Sequence, residues 1–156
     1  MNLEKELEKV GLFEGVSQEV LARLAAVARE RTLVNGEVLF REGDVGDEAF
    51  VIVMGTLKLE KTSQTGDREE LSMLGSGSCI GEVALVTPSH THTFTATAME
   101  KSFVVGFHQS DIDALSEKHP EGGCAIYKAL SRGLARRVSL IAEEAVHLKS
   151  IALHHN

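Results

Sequence analysis

Between residues 30 and 108 the chain consists of short segments of alternating hydrophobicity separated by turns rich in glycine and aspartate. Branched and aromatic residues fill each segment, and a period of two is typical of β-strands. The pattern predicts strands at 31–34, 38–41, 49–54, 56–62, 69–74, 94–98 and 102–108. Strands this short and this closely spaced indicate a sandwich, barrel or roll.

Helical patterns flank this β region on both sides. Apolar residues recur at intervals of three and four after Ser17, a predicted N-cap. A helix is predicted over Asp111–Lys118, capped by Ser110, and a long helix from Pro120 to about Ser150, because proline suits a first helical turn. At 156 residues the chain fits one domain, with N-terminal helices in 1–29, the β region in 30–108 and the hinge and long helices in 109–150.

The long helix carries an apolar stripe with the spacing of a coiled coil. The stripe consists of Leu134, Val138, Ile141, Ala145 and Leu148. A helix this long extends beyond a small β domain, so its far end would leave apolar side chains exposed. We therefore expect a homodimer that pairs these helices, rather than a helix packed on its own core alone.

Charge and composition exclude several classes of function. The net charge is −7, whereas nucleic-acid binding requires a basic face, so no nucleic-acid partner is expected. Arg132, Arg136 and Arg137 are interpreted as a solvated helix face. No segment has the length and apolarity of a membrane span, and the two cysteines match no metal spacing, so a cytoplasmic protein without membrane attachment or metal is expected.

Two motifs resemble those of the cyclic-nucleotide-binding domain superfamily. The run GEVLFREGD at 36–44 is similar to the entry strands of catabolite-activator-like effector domains, and IGEVAL at 80–85 resembles the phosphate-binding cassette. The resemblance implies an α+β fold with a jelly roll, or double-stranded β-helix (β-roll), flanked by N-terminal helices and a long C-terminal helix. It also implies that the first turn after Gly81 binds a cyclic phosphate through backbone N–H groups and that Glu82 accepts from a ribose hydroxyl. The implied ligand-binding residues of this turn are Gly81, Glu82, Val83 and Ala84.

The chain departs from the family pattern at two points. The cassette of relatives ends with an arginine that binds the phosphate, but no arginine or lysine lies between Gly81 and Lys101. Either His90 or Thr91 is expected at that position. On the long helix, Ile141 and Ala142 occupy the places of polar base contacts. We therefore expect weak or altered binding of cAMP or cGMP.

Three functions remain in competition. The first is a regulatory module that reports ligand binding through the C-terminal helix. Transcription factors of this resemblance carry a helix-turn-helix after the long helix, which we do not expect here, so the expected output is a protein effector or a missing domain. The second is a degenerate scaffold used only for dimerisation or protein interaction. An enzyme is not expected, because no nucleophile, base and acid are found together, and no cofactor is expected beyond the cyclic nucleotide. His90 and His92 are interpreted as exposed loop residues rather than metal ligands.

Overall fold

The computed structural model describes residues 2–155, which form eight strands, five α-helices and one 3₁₀ turn. The N-terminal segment comprises α1, a 3₁₀ turn at Gly11–Phe13, and α2. The helices are α1 (Leu3–Glu8), α2 (Gln18–Val27), α3 (Glu82–Val86), α4 (Gln109–Lys118) and α5 (Pro120–His154). The strands are β1 (Arg29–Leu33), β2 (Val38–Phe40), β3 (Glu48–Met54), β4 (Leu57–Thr62), β5 (Arg68–Leu74), β6 (Cys79–Ile80), β7 (Thr95–Ala98) and β8 (Ser102–His108).

The strands form two antiparallel four-stranded sheets that face each other as a jelly roll. One sheet has the order β1-β8-β3-β6 and the other β2-β7-β4-β5. Strand β3 pairs with β8 through residues 48–54 and with β6 through Phe50 and Val51. The predicted jelly roll with flanking helices is therefore confirmed.

Strand β3 is buried on both faces, which explains why its sequence is a nearly continuous apolar run. Phe50 and Ile52 point into the core between the two sheets, where they pack with Leu57, Ile80 and Val104. Val51 points the other way, into a second core formed with the helices. That second core includes Leu7, Leu24, Phe107, Ile112 and Ile126. Burying an aliphatic side chain of this kind stabilises the fold by about 1.5–3 kcal/mol.

Most predicted element bounds agree with the structure to within two residues, and three details differ. Strand β6 was not predicted, because two residues are too few to show a period of two. The predicted cap at Ser110 is wrong: α4 begins at Gln109, two residues before the predicted first helical residue Asp111, with His108 in the cap position. The long helix begins at Pro120 as predicted and continues to His154, four residues further than expected.

The C-terminal half of α5 extends away from the two cores. Its buried side chains lie between Gly122 and Leu130, and every residue from Val138 to His155 is exposed. Exposed apolar side chains include Val138 at 66%, Ile141 at 41% and Leu148 at 59% exposure. Within residues 2–155, none of the helices combines the length and apolarity needed to cross a bilayer.

Candidate ligand site

The predicted cassette begins at a sharp turn between β6 and α3. Gly81 has φ +81°, a left-handed conformation that an L residue with a side chain adopts only under strain. The turn directs the chain from the sheet into α3, whose first residues are Glu82, Val83 and Ala84. Glu82 and Ala84 are buried and Val83 is half-buried. The four predicted cassette residues therefore form one continuous turn beside the end of β3.

Glu82 is fully buried and faces the long C-terminal helix. Nη1 of Arg137 lies 2.9 Å from Oε1 of Glu82, and the Arg137 side chain is 13% exposed. Neither oxygen of Glu82 has a partner with hydrogen-bond geometry among residues 2–155. Nη2 of Arg137 donates instead to the carbonyl oxygen of Cys79. The guanidinium thus connects α5 to both β6 and α3.

The environment of this ion pair favours neutral forms of the acidic groups. Burial raises the pKa of Glu82 above its ordinary value of 4.5, and the charge of Arg137 opposes this rise. Burial also raises the pKa of the neighbouring Cys79 thiol, with a smaller contribution from Glu82. Cys79 therefore stays protonated, which makes it a packing residue rather than a nucleophile.

His92 lies against the turn of the cassette. It is 6% exposed, and its ring stacks on Phe40 with centroids 3.8 Å apart and an interplanar angle of 10°. A β-carbon at Gly46 would lie 2.2 Å from Nε2 of His92, and one at Gly81 would lie 3.3 Å from Cε1. Burial lowers the pKa of His92, and Asp44 opposes that change. The ring is thus held neutral between an aromatic face and two glycines.

The backbone explains how His92 comes to occupy this place. Residues 90–92 pair with the loop between β2 and β3: the amide of Gly46 donates to His90, that of His92 to Asp44, and that of Gly43 to His92. An isolated bridge joins Val45 and Thr91 within the same ladder. These bonds fix the direction of the side chain at position 92.

His90 contacts the last residue of the cassette turn, and the Thr91 hydroxyl contacts Ser89. His90 has φ +50°, and its Nδ1 lies 2.9 Å from the carbonyl oxygen of Ala84, at the far end of α3's first turn. The Thr91 hydroxyl lies 2.9 Å from that of Ser89. The interpretation of His92 as an exposed loop residue is therefore wrong, and it is His92 that contacts Gly81.

A cavity of about 140 Å³ lies beside Arg137, between α5 and strands β5 and β6. Its walls are mainly apolar. Ser72 and Ser78 supply hydroxyl groups, and Arg136, Arg137 and Glu144 supply charged groups. Ile141 lines this cavity, whereas Ala142 is exposed and does not. The apolar lining consists of Leu12, Leu71, Leu74, Leu140 and Ile141, with Cys79 adjoining.

Sequence reasoning missed two residues of this site. Arg137 was interpreted as part of a solvated basic face, which is wrong, because it is largely buried against Glu82. The helical spacing of Arg137 carries a signal of this burial. Arg137 lies seven residues after Leu130, which lies four after Ile126, so the three side chains share one face of α5. His92 directly precedes the run Thr93-Phe94-Thr95-Ala96 and is the next residue after His90 and Thr91, the two positions at which the arginine of the family pattern is expected.

Comparison with known proteins gives a consistent result. A family model described as "Cyclic nucleotide-binding domain" matches residues 30–119, which is more than half of the chain. A "CRP-like cAMP-activated global transcriptional regulator" from Mycobacterium tuberculosis is 23% identical over 141 residues. The match covers 90% of this chain and 62% of that regulator, so the chain spans less than two thirds of its relative's length.

Solved structures show the same fold. The N-terminal domain of a transcriptional regulator from Streptomyces coelicolor A3(2) is 33% identical with a TM-score of 0.72, over 84% of this chain and 93% of that one. A cyclic nucleotide-binding domain from Methylobacillus flagellatus has a TM-score of 0.83 at 19% identity, over 93% and 81% of the two chains.

Proposed function

The chain belongs to the cyclic nucleotide-binding domain family, and we propose that it is a regulatory module that binds a small ligand at Gly81 and Glu82 and reports binding through α5. The observation that carries this proposal is the carboxylate of Glu82. It is fully buried, Oε1 lies 2.9 Å from Nη1 of Arg137, and among residues 2–155 neither oxygen has a partner that meets full hydrogen-bond geometry. A buried carboxylate whose hydrogen-bonding capacity is only partly met is costly.

A ligand with hydroxyl groups would satisfy this carboxylate. Ionised acceptors form hydrogen bonds that contribute about 1.5–3 kcal/mol each. The neighbouring cavity beside Arg137 offers apolar contact to a ring attached to the same ligand. Arg137, which lines the cavity and lies next to Glu82, connects the two, and on this basis we propose a nucleotide- or nucleoside-like ligand.

We propose that cyclic nucleotides bind weakly, because the position of the phosphate-binding arginine holds His92. Loss of one partner from a buried charge pair costs about 2–5 kcal/mol, which is roughly 30-fold to several-thousand-fold in affinity. His92 is neutral in its buried place, so it offers an incoming phosphate no charge. The cAMP-activated relative from M. tuberculosis supports cAMP as the first ligand to test.

Arg137 provides the route by which binding would reach α5. It contacts Glu82 and Cys79 with one guanidinium and also lines the cavity. A ligand that donates to Glu82 competes with Arg137 for the carboxylate, and the contact between α5 and the β-roll changes with it. We propose that the exposed stripe from Leu134 to Leu148 pairs with a second copy and transmits this change to a protein effector.

Isothermal titration with cAMP and cGMP tests the proposed binding, with Glu82→Gln as the site variant. We expect weak binding to the natural chain and further loss in the variant, because an amide accepts less strongly than a carboxylate. Glu69→Gln, on an exposed position of β5, is the matched control and should leave affinity unchanged. Equal affinity of the natural chain and Glu82→Gln would reject Glu82 as a ligand contact.

The second candidate is a scaffold without a ligand. It is favoured by one observation: the ring of His92 occupies the space beside Gly81 that a phosphate would need. A scaffold would show no rise in melting temperature with any cyclic nucleotide or nucleoside, whereas a ligand at 100 times its Kd stabilises by about 2.7 kcal/mol.

A further inference from the structure

The ring of His92 covers the backbone at Gly81, and this ring can gain a charge. We infer that His92 is an acid-opened switch: the neutral ring covers the Gly81 turn, and the protonated ring moves into an adjoining acidic groove and uncovers the turn. The inference rests on the proposed function, because it concerns access to the same site. It adds pH as the signal that regulates this access.

The closed position of the switch suits a neutral ring. His92 is 6% exposed, and its ring stacks on Phe40 with centroids 3.8 Å apart. A β-carbon at Gly46 would lie 2.2 Å from Nε2, and one at Gly81 would lie 3.3 Å from Cε1, so the ring fills the space between the two glycines. Burial disfavours the charged form and lowers the pKa of His92. Protonation therefore favours a position with access to water.

The backbone at His92 is held on both sides, so the switch needs only a side-chain movement. The amide of His92 donates to the carbonyl oxygen of Asp44 at 2.9 Å, and the amide of Gly43 donates to the carbonyl oxygen of His92 at 2.8 Å. The amide of Gly46 donates to the carbonyl oxygen of His90 at 2.7 Å. These bonds fix residues 90–92 against the β2–β3 loop whichever position the ring takes.

A groove next to the closed position offers the protonated ring a place. The groove measures about 230 Å³ and is lined by the ring of His92 itself. A cavity of about 150 Å³ holds one six-membered ring, so an imidazole fits. The charged side chains that line the groove are Arg31 of β1, Asp44 and Asp47 of the β2–β3 loop, and Glu48 of β3. Three acids and one base attract a cation.

Asp44 is the acid that we expect to receive the ring. Asp47 and Glu48 already contact another histidine, since their carboxylates lie 3.5 and 3.6 Å from the two ring nitrogens of His108. Asp44 is exposed, and its charge favours the protonated form of His92. On the opposite side, Glu82 of α3 is paired with Arg137 and gives the ring no free charge.

Linkage determines how steeply the switch responds to pH. The closed position holds the neutral ring and the open position takes up the proton. The ratio of open to closed molecules should therefore rise about tenfold for each pH unit below 6.5, the ordinary pKa of histidine, and stay constant above it.

NMR titration of the labelled chain without ligand, from pH 7.5 to pH 5, tests the switch. We expect NOEs between the rings of His92 and Phe40 at pH 7.5 and their loss as His92 protonates, while the core signals of Val51 persist. The inference is overturned if His92 protonates with these NOEs intact, if it stays neutral and stacked down to pH 5, or if the ring leaves only when the Val51 signals are lost as well.

Two variants separate the switch from general acid sensitivity. In His92→Gln the signals of the Phe40 ring should not change between pH 7.5 and pH 5, because no proton is taken up at position 92. In Asp44→Asn opening should require a lower pH, whereas Asp67→Asn, in the exposed β4–β5 turn, is the matched control and should open as the natural chain does. Equal opening in Asp44→Asn and the natural chain would refute the role given to the groove.

Calorimetric titration with cAMP at pH 6.5 and pH 5.5 connects the switch to the site. We expect the Kd to fall about tenfold over this unit in the natural chain and to stay constant in His92→Gln. Opening in the NMR titration without cAMP or cGMP binding at either pH would reject the proposed function and retain the switch. Binding of equal strength at both pH values, with the ring still stacked, would reject the switch and retain the proposed function.

Discussion

Replacement of Arg137 by methionine removes the only cation that contacts Glu82 among residues 2–155, while it keeps most of the side-chain volume. Glu82 has no exposed surface, so water cannot replace the guanidinium. Removing one partner of a buried ion pair destabilises a protein by about 3–5 kcal/mol. For a domain of this size each kcal/mol lowers the melting temperature by about 2–4 °C, so we expect a fall of roughly 6–20 °C near pH 8.

The loss in Arg137→Met should depend on pH, because Glu82 can take up a proton. Its pKa is already raised by burial, and loss of the opposing cation raises it further. When the pKa of a group is higher in the folded than in the unfolded state, the group adds stability to the fold at low pH. This contribution is complete below the unfolded-state pKa and is lost as the pH rises through the folded-state pKa. The variant should therefore be closer to the natural chain at pH 5 than at pH 8.

Urea denaturation at pH 5 and pH 8 measures both effects. The double variant Glu82→Gln/Arg137→Met removes the uncompensated charge and should recover most of the loss at pH 8. Arg136→Met, at the exposed neighbouring position, should change stability by less than about 0.5 kcal/mol. If the free energy of unfolding of the single variant Arg137→Met lies within about 1 kcal/mol of that of the natural chain at pH 8, this account of the ion pair is refuted.

Three further predictions concern other parts of the structure. Ile141→Asp should convert dimers to monomers in light scattering, whereas Leu153→Asp, exposed but outside the stripe, should not; a dimer in both would place the interface elsewhere. Burial lowers the pKa of His92 below its ordinary value of 6.5. The stability that the neutral ring contributes is therefore complete above pH 6.5 and is lost as the pH falls through the pKa of the folded state. Thermal unfolding of His92→Gln should accordingly be less acid-sensitive below pH 6.5 than that of the natural chain. Gly46→Ala should lower the free energy of unfolding by about 1–3 kcal/mol in chemical denaturation, because the added β-carbon would clash with the ring of His92. The loss should be smaller in a His92→Ala background. Equal losses in both backgrounds would exclude this clash.

The fold could be predicted from the sequence because local signals and hydrophobic periodicity agree along most of the chain. The strands show a period of two, and Pro120 marks the start of α5 at the residue where the structure has it. Strand β6 could not be found in this way, since its two residues owe their extended form to pairing with Phe50 and Val51, far away in the sequence.

The candidate site could be predicted only in its backbone. Gly81 and Glu82 stand in a local motif, but the side chains that contact them come from other elements. Arg137 lies 55 positions along the chain and reaches Glu82 through the packing of α5 on the roll. His92 is set by a ladder with the β2–β3 loop, which no local pattern encodes. Such long-range contacts depend on tertiary packing, so the sequence alone led to a basic surface and an exposed histidine.

Ile141 lies both in the wall of the cavity and on the exposed stripe of α5. The same side chain would therefore take part in ligand binding and in helix association. If an occupied cavity changes the association constant of the helices by some factor, association must change the ligand's affinity by the same factor. The apparent Kd of a ligand would then vary with protein concentration around the dimer dissociation constant. A titration at nanomolar protein and one at micromolar protein would therefore report different affinities for one molecule.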